Sequence, residues 1–478
     1  MQIIEVYTMK QYYFFVLFLL VIAASLVPAG CANPIAPTGG PKDTLAPVLV
    51  QAVPKDATLK FNANKIVLTF NEYVDLQNIQ ENLLVSPTPK TNPIVESKLR
   101  TVTVRIKDTL EPNTTYTINF GNAIKDINEG NVLRNFTYVF STGATIDSLE
   151  LHGRVLLAQT GKTDSTLVVM LHKNSDDSAV IKERPRFITR VDSSGAFTFR
   201  HLPAGTFSVY ALKDEGGQHR YLAKNQLFAF AGQRVTTAAL SPPLTLYAYT
   251  EKEEEKKPAT PAPAATQKPN KAASQDKRLR YRTNLQSGEL DLLGNLDLVF
   301  NDPLKKFDSS KVQLLDGNFK PLTGYTLTPD STHKKFSYQY PWKENTAMVM
   351  ILDKEFAEDS AGKKPPRTDT LKFNTMKESE YGSVRLRFNN LDMSRKPVLL
   401  LLQGEDIKFS EKIQGKEVFK KLFKPGEYEI RVLYDTNGNG VWDAGQFFGK
   451  HIQPELVQSI RKKLIVKANW DNEVTLDL

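Results

Sequence analysis

One pattern constrains this chain most: the same alternation of apolar residues occurs twice, 221 residues apart. From Gly195 the sequence reads GAFTFRHLPAGTFSVYALKD, ending at Asp214. From Lys416 it reads KEVFKKLFKPGEYEIRVLYD, ending at Asp435. The shift superimposes Leu202 on Phe423, Gly205 on Gly426, Phe207 on Tyr428, Val209 on Ile430, Ala211 on Val432 and Asp214 on Asp435. Apolar side chains at every second position on both sides of a Pro/Gly turn describe a β-hairpin with one buried face. A helix, with its period of 3.6, cannot use that pattern.

A second pair of matching signals precedes the first. IVLTFNEYV (66–74) and LDLVFNDPL (296–304) each end a strand in Phe-Asn-acid. Each copy continues with Asn-Thr (Asn113-Thr114, Asn345-Thr346). Next comes an Asp followed by Gly (Asp126 and Gly130, Asp359 and Gly362), and then Phe-x-Thr (Phe140/Thr142, Phe373/Thr375). The layout is therefore a duplicated two-domain unit: a first domain at 46–144, a second at 147–250, a third at 281–376 and a fourth at 380–478. A chain of 478 residues is too long for one core, and four units of roughly 100 residues suit it. Short strands with turn signals every 8–12 residues give an all-β fold of tandem sandwiches. Aromatics at 10%, with 26 Phe and 17 Tyr, lean the same way.

Between the units, residues 251–280 begin EKEEEKKPATPAPAATQKPN, with almost no large apolar side chain. Such a segment cannot bury a core and is expected to be a flexible linker. A coil of that length spans on the order of 30 Å, so the units are expected to be two arms that hold two things together.

The N-terminal segment is a targeting signal by pattern. Lys10 precedes the apolar run YYFFVLFLLVIAASLV (12–27), and small residues lead to Cys31. A positive start, a short apolar core and a small-residue site make an export signal over 1–30. Met9 opens it more typically than Met1. Residues 31–45, rich in Pro and Gly, are a tether that can form neither a helix nor a central strand. Cys31 is the only cysteine, so the body holds together without an intramolecular disulfide. The charge of +9, from 62 basic and 53 acidic residues, is dispersed, and no basic block alternates with aromatics. Nucleic acid is not an expected partner.

One loop carries a candidate metal chemistry. Asp435, Asn437, Asn439, Val441 (through its carbonyl) and Asp443 place oxygen ligands at alternate positions, with Gly440 at the turn, as a calcium loop does. Gln446 stands where such a loop wants a bidentate Glu, so calcium needs a carboxylate from another segment. The competing reading is an Asn/Gly turn whose side chains bond their own backbone. The equivalent place in the second domain, Asp214-Glu-Gly216-Gly217, offers few ligands and favours the turn. No other cofactor is expected. The six histidines show no metal spacing, GxSxG is absent, and no enzyme chemistry is expected.

The Ala29-Gly30-Cys31 ending resembles the lipobox of bacterial lipoproteins, with Pro28 where Leu is usual. That resemblance implies a diacylglycerol on Cys31, which becomes the first residue. LTFNEYV (68–74), LEPNTTY (110–116), Asp126, Gly130 and Phe140-Ser141-Thr142-Gly143 make the first domain similar to the bacterial Ig-like domains of surface-layer proteins. The third domain looks like a degraded copy. Gly195-x-Phe197-x-Phe199, Leu202-Pro203-x-Gly205 and Phe207-x-Val209-x-Ala211 make the second domain resemble the transthyretin-like module found beside carboxypeptidases, and the fourth repeats it. With Pro-Thr-Gly-Gly-Pro-Lys-Asp at 37–43 and Trp470-Asp471 near the end, the whole resembles Ig-like-domain lipoproteins of the Bacteroidetes type. The resemblance implies a non-catalytic envelope lipoprotein, anchored in the outer membrane by lipid on its periplasmic or its surface face, with a protein partner. A glycan-binding surface lipoprotein is the alternative. Thr44, Thr109, Ser148, Ser178 and Thr370, each between an Asp and an apolar residue, resemble the O-glycan sites of exported Bacteroidetes proteins.

Overall fold

The structure is a computed structural model, and it describes residues 12–19, 42–238, 242–251 and 278–478. Cys31 and most of the 251–280 segment lie outside the described residues. Residues 12–19 are helical and exposed, and no helix among the described residues is long and apolar enough to cross a membrane.

The body is all-β, and its duplication is visible strand by strand. In the first domain one sheet runs Leu49–Val53, Lys65–Phe70, Thr101–Arg105, Ile94–Lys98. The facing sheet runs Leu84–Ser86, Thr115–Asn119, Thr137–Ser141, and Val74–Leu76 pairs with Ile124–Asp126. The third domain repeats this order. Tyr281–Thr283, Leu296–Phe300, Lys335–Gln339 and Thr326–Pro329 face Val312–Asp316, Ala347–Leu352 and Asp369–Thr375, and Leu304–Phe307 pairs with Ala357–Asp359. It adds one short strand, Glu289–Leu290, parallel to Asp369–Thr375, where the first domain has a single parallel bridge from Thr58 to Phe140. The alternation is clean: Ile66, Leu68 and Phe70 are buried, as are Leu296, Leu298 and Phe300.

The repeated signals are turn chemistry. The Phe-x-Thr and Asn-Thr motifs meet in one lock. The Thr142 hydroxyl accepts the Thr114 N–H (2.9 Å) and donates to the Glu111 carbonyl (2.7 Å). The Thr375 hydroxyl accepts the Thr346 N–H (2.8 Å) and donates to the Lys343 carbonyl (2.5 Å). Asn113 and Asn345 take the left-handed backbone, φ 50° and 48°, that Asn tolerates. Asp126 and Asp359, both buried, accept the backbone N–H groups of the turns that follow them.

The second domain has seven main strands: Leu149–Leu157, Leu167–His172, Phe187–Arg190, Ala196–Leu202, Thr206–Lys213, Phe228–Phe230 and Leu244–Ala248. Numbered in that order, the smaller sheet is 4-1-7 and the larger 3-2-5-6, with Val235–Thr236 added beside strand five. The fourth domain has Gly382–Asn389, Pro397–Gln403, Asp406–Lys412, Glu417–Phe423, Gly426–Tyr434, Leu456–Val466 and Asp471–Asp477, in the same 4-1-7 and 3-2-5-6 orders. In both, strand seven runs parallel to strand one.

The expectation of two separate arms is overturned. The outer face of the second domain's larger sheet packs against Trp442, Ala444, Phe447, Phe448 and Leu456 of the fourth, and Trp442 packs in turn on the fourth domain's own outer face. All six residues of Leu167–His172 are buried, and so are Pro397–Leu402. A strand buried on both faces loses its alternation. One apolar cluster joins Met170, Tyr210, Phe228 and Phe230 of the second domain to Phe447 of the fourth, with Trp442 and Phe448 packed against it. The Val457 N–H donates to the Ala158 carbonyl (2.8 Å) across the junction. A Cβ at Gly161 would stand 2.7 Å from the Val457 carbonyl oxygen, so the close approach requires glycine. The linker also begins and ends differently from the 251–280 expectation. Glu251 is buried and accepts the Phe447 N–H (3.2 Å), and Leu279 is buried in the third domain's core.

Candidate functional site

The Asp435 loop is where the fourth domain reaches the second. Strand Gly426–Tyr434 delivers Asp435, fully buried, to the start of a long connection that returns as strand Leu456–Val466. Gly438 and Gly440 have φ of 80° and 83°, which only glycine adopts freely. One Asp435 oxygen accepts the N–H of Gly438 (2.6 Å) and Asn439 (3.2 Å), the other that of Gly440 (2.6 Å). The Asn437 and Asn439 carbonyl oxygens accept the N–H of Asn439 (2.9 Å) and Val441 (2.8 Å). Both Asn side-chain amides donate to one Asp443 oxygen, each at 2.6 Å.

The carboxylate from another segment is present: it is Glu455. It is buried, and its oxygens accept the Thr436 N–H (2.7 Å), the Thr436 hydroxyl (2.8 Å) and the Asp443 N–H (3.1 Å). Lys396 and Lys412 donate to the Thr436 and Gly438 carbonyls (2.8 and 2.6 Å). The predicted ligands are thus gathered in one loop, where the Asp435 carboxylate, the Asn437 and Asn439 side-chain oxygens and one Asp443 oxygen accept N–H groups. Among the described residues no group of three His, Cys, Asp or Glu side chains is placed to hold a metal ion. These hydrogen bonds brace the turn, and with it the arm 442–455. The Trp442 indole N–H donates to the Glu455 carbonyl (2.7 Å). Beyond it, Phe447 stands 5.0–5.5 Å from the Tyr210, Phe228 and Phe230 rings, and Phe448 stacks on Tyr221 at 5.9 Å. His451 bonds Asp177 at 2.6 Å, and Gln453 donates to the Phe230 carbonyl (3.1 Å). Gly445 is forced: a Cβ there would stand 2.7 Å from the Tyr249 ring.

Two further junctions join the outer domains. Arg186 of the second domain forms a two-pronged pair with Glu111 of the first (2.6 and 2.7 Å), and that hydrogen bonding holds the Glu111 carboxyl below its usual range. Ser86 and Ile188 exchange hydrogen bonds at 3.2 Å. Asp291 of the third domain binds the Tyr381 hydroxyl (2.5 Å) and Lys424 (2.6 Å).

The remaining predicted residues are dispersed. Thr44, Thr109, Ser148 and Thr370 are exposed, while Ser178 is half-buried beside the Asp177–His451 contact. Thr109 lies at a cleft of about 390 Å³ in the first domain, whose two acids are engaged, Asp108 by the Thr91 N–H and Glu111 by Arg186. Of the tryptophans, Trp342 and Trp442 are half-buried and donate to carbonyls, and Trp470 is exposed.

With this architecture in place, the sequence comparison is specific for one part of the chain: residues 43–142 match the model of the bacterial Ig-like domain. The first domain is similar to bacterial Ig-like domains. No curated protein matches the chain. Among solved structures, the Bacillus anthracis TIE protein is 11% identical, over 92% of this chain and 75% of that one, with a TM-score of 0.16. The major pilin subunit BcpA of Bacillus cereus is 9% identical, over 69% and 99%, with a TM-score of 0.16. The S-layer protein SbsC is 12% identical, over 90% and 54%, with a TM-score of 0.16. Overlaps this loose carry no functional information.

Proposed function

We propose that the protein is a non-catalytic cell-envelope lipoprotein of the Bacteroidetes type, anchored to the outer membrane by a lipid on Cys31 and presenting a braced β body to an envelope protein partner. The observation that supports this best is the order of parts. A bacterial Ig-like domain stands directly after a short tether that begins at a lipobox-like Ala29-Gly30-Cys31. The body behind it has its buried carboxylates Asp126, Asp359, Asp435 and Glu455 engaged by turns and Glu251 engaged at a domain junction, which suits a spacer or adaptor. The glycan-binding alternative retains one exposed tryptophan, Trp470, with Lys467 over its ring at 4.9 Å.

Intact-mass measurement of the protein extracted from membranes tests the anchor. The expected species begins at Cys31 and carries a diacylglycerol and an acyl chain, and Cys31→Ser abolishes it. A mature chain without lipid sinks the reading. Affinity purification from solubilised membranes tests the role: a stoichiometric protein partner supports it, and binding to a glycan array without such a partner supports the alternative.

A further inference from the structure

Of the large apolar side chains that the first domain exposes, Val50, Val53, Leu59 and Ile94 stand apart, and five others gather at one end, the end from which the tether leaves. Leu45, Val48, Tyr73, Leu99 and Ile127 are between 46% and 72% exposed. Backbone hydrogen bonds show that their segments converge. Asn71 N–H donates to the Val48 carbonyl (3.0 Å), Val74 N–H to Leu99 (2.9 Å) and Ile127 N–H to Tyr73 (3.1 Å). The Asn131 side chain donates to the Asp43 carbonyl (3.1 Å), which brings in the Leu45 segment. Scattered single apolar residues on a surface need no explanation, but a group gathered on one tip does.

Turn chemistry does not explain the group. Leu99 caps the hairpin between Ile94–Lys98 and Thr101–Arg105 with φ of 55°, a conformation that suits Gly or Asn and is unusual for a bulky residue. The third domain supplies an internal control. Its matching hairpin places His333 at φ 54°, with the Leu304 N–H donating to the His333 carbonyl (3.0 Å), as Val74 does to Leu99. The register equates Tyr73 with Pro303, Ile127 with Ser360 and Val48 with Arg280. The same fold, with a longer turn at 331–334, carries Arg280, Pro303, His333 and Ser360 at this tip in the copy far from the tether, where the copy next to it carries large apolar side chains.

The geometry points to a lipid surface as the occupant: we infer that Leu45, Val48, Tyr73, Leu99 and Ile127 dip into the membrane to which Cys31 is tethered, and so fix the angle of the body on it. This rests on the lipoprotein reading above. From Cys31 to Leu45 a coil spans on average roughly 20 Å, so the tip lies within reach of the interface. Tyr at the rim, with the Arg100 guanidinium 5.2 Å over its ring, suits a headgroup layer. The charges nearby favour burial of apolar surface over attraction to anionic lipid. Partial burial, and then the neighbouring Asp126, Asp43 and Glu129, push the Glu72 carboxyl above its usual range, and these acids share the tip with Arg100, so no purely basic patch is formed there. Binding is therefore expected on zwitterionic vesicles and to be insensitive to salt.

The test uses the full mature chain, purified with its lipid and reconstituted into phosphatidylethanolamine/phosphatidylcholine vesicles. Leu99→Cys and His333→Cys are each labelled with a thiol-reactive, environment-sensitive dye. An acylated Cys31 has no free thiol, so each variant takes one label. The expected result is a blue-shifted emission at 99 that brominated acyl chains quench, with neither effect at 333. Emission at 99 equal to that at 333, in a protein whose mass carries the lipid and which floats with the vesicles, overturns the docking and leaves the anchor intact. A chain that takes a second label, lacks the lipid mass and fails to float overturns the anchor and the docking together.

Discussion

The Phe447 ring stands edge-on to Tyr210, with centroids 5.5 Å apart and planes at 82°, although the two residues belong to different halves of a duplicated chain. Phe447 is buried at a point where four aromatic rings and the buried Glu251 carboxylate meet it. Truncating a buried Phe costs about 3–5 kcal/mol. Phe447→Ala is expected to lower stability by an amount in that range and to expose the outer sheet face around Tyr210 and Phe228. Urea unfolding followed by a hydrophobic dye checks this. An unchanged midpoint would mean that the junction contributes nothing.

Because the junction is non-covalent and apolar, the halves are expected to stay together without the linker. A protease site placed between residues 252 and 277 and then cut should yield two fragments that elute as one species. Adding Phe447→Asp, which buries an unpaired charge, should separate them. Fragments that part immediately after cleavage of the unmutated chain would show that the linker alone holds the halves at one another's effective concentration.

The duplication was legible because its signals are local. The period-two alternation in GTFSVYALKD and GEYEIRVLYD, the Asn-Thr turns and the Asp-Gly turns act over a few residues, and each recurs in place in the structure. The docking of the two halves was less legible. Its signal was the loss of alternation in LVVMLH (167–172) and PVLLLL (397–402), which reads as burial on both faces. Glu455 had no signal at all. It lies 12 residues beyond Asp443, and only the path of the arm through the second domain brings its carboxylate back under Thr436.

The Asp435 loop makes a prediction about metal. The Asp435 and Glu455 carboxylates, one Asp443 oxygen and the Asn side-chain carbonyls accept N–H groups already, so a cation would have to displace those bonds. Millimolar calcium, or a chelator, is expected to leave the melting temperature in place. Asp435→Ala removes the acceptor of the half-buried Gly438 and Gly440 N–H groups and is expected to cost about 1–3 kcal/mol, weakening the junction through the arm. Differential scanning calorimetry reads both. A melting temperature that rises with calcium would make the loop a cation site.

The first and second domains are joined by a pair that can be cut cleanly. Arg186 and Glu111 make a two-pronged contact on a partly exposed rim, where such pairs contribute about 1 kcal/mol or less. Arg186→Ala should therefore leave the fold intact. Limited proteolysis is expected to cut the 142–149 connection faster in the variant. An unchanged rate would place the orientation of the two domains in the Ser86–Ile188 contacts instead.

The last prediction concerns acid. His172 closes strand Leu167–His172, is almost fully buried, stands edge-on to Tyr210 at 5.5 Å, and its Nε2 has no partner. Burial pushes it down from 6.5 to about 4. The unfolded chain takes up this proton near pH 6.5 and the folded chain only near 4. Between those values the unfolded state holds more protons, and stability rises with pH. The contribution is complete above pH 6.5 and is lost on acidification, by on the order of 3 kcal/mol at pH 4. The fourth domain shows what the site tolerates, because the register places Leu402 where the second domain has His172. His172→Leu should keep stability at pH 7 within about 1.5 kcal/mol of the parent and flatten its fall toward pH 4. Urea midpoints of the two proteins at pH 7, 5.5 and 4.5 decide the matter, and equal slopes would mean that another group carries the acid sensitivity.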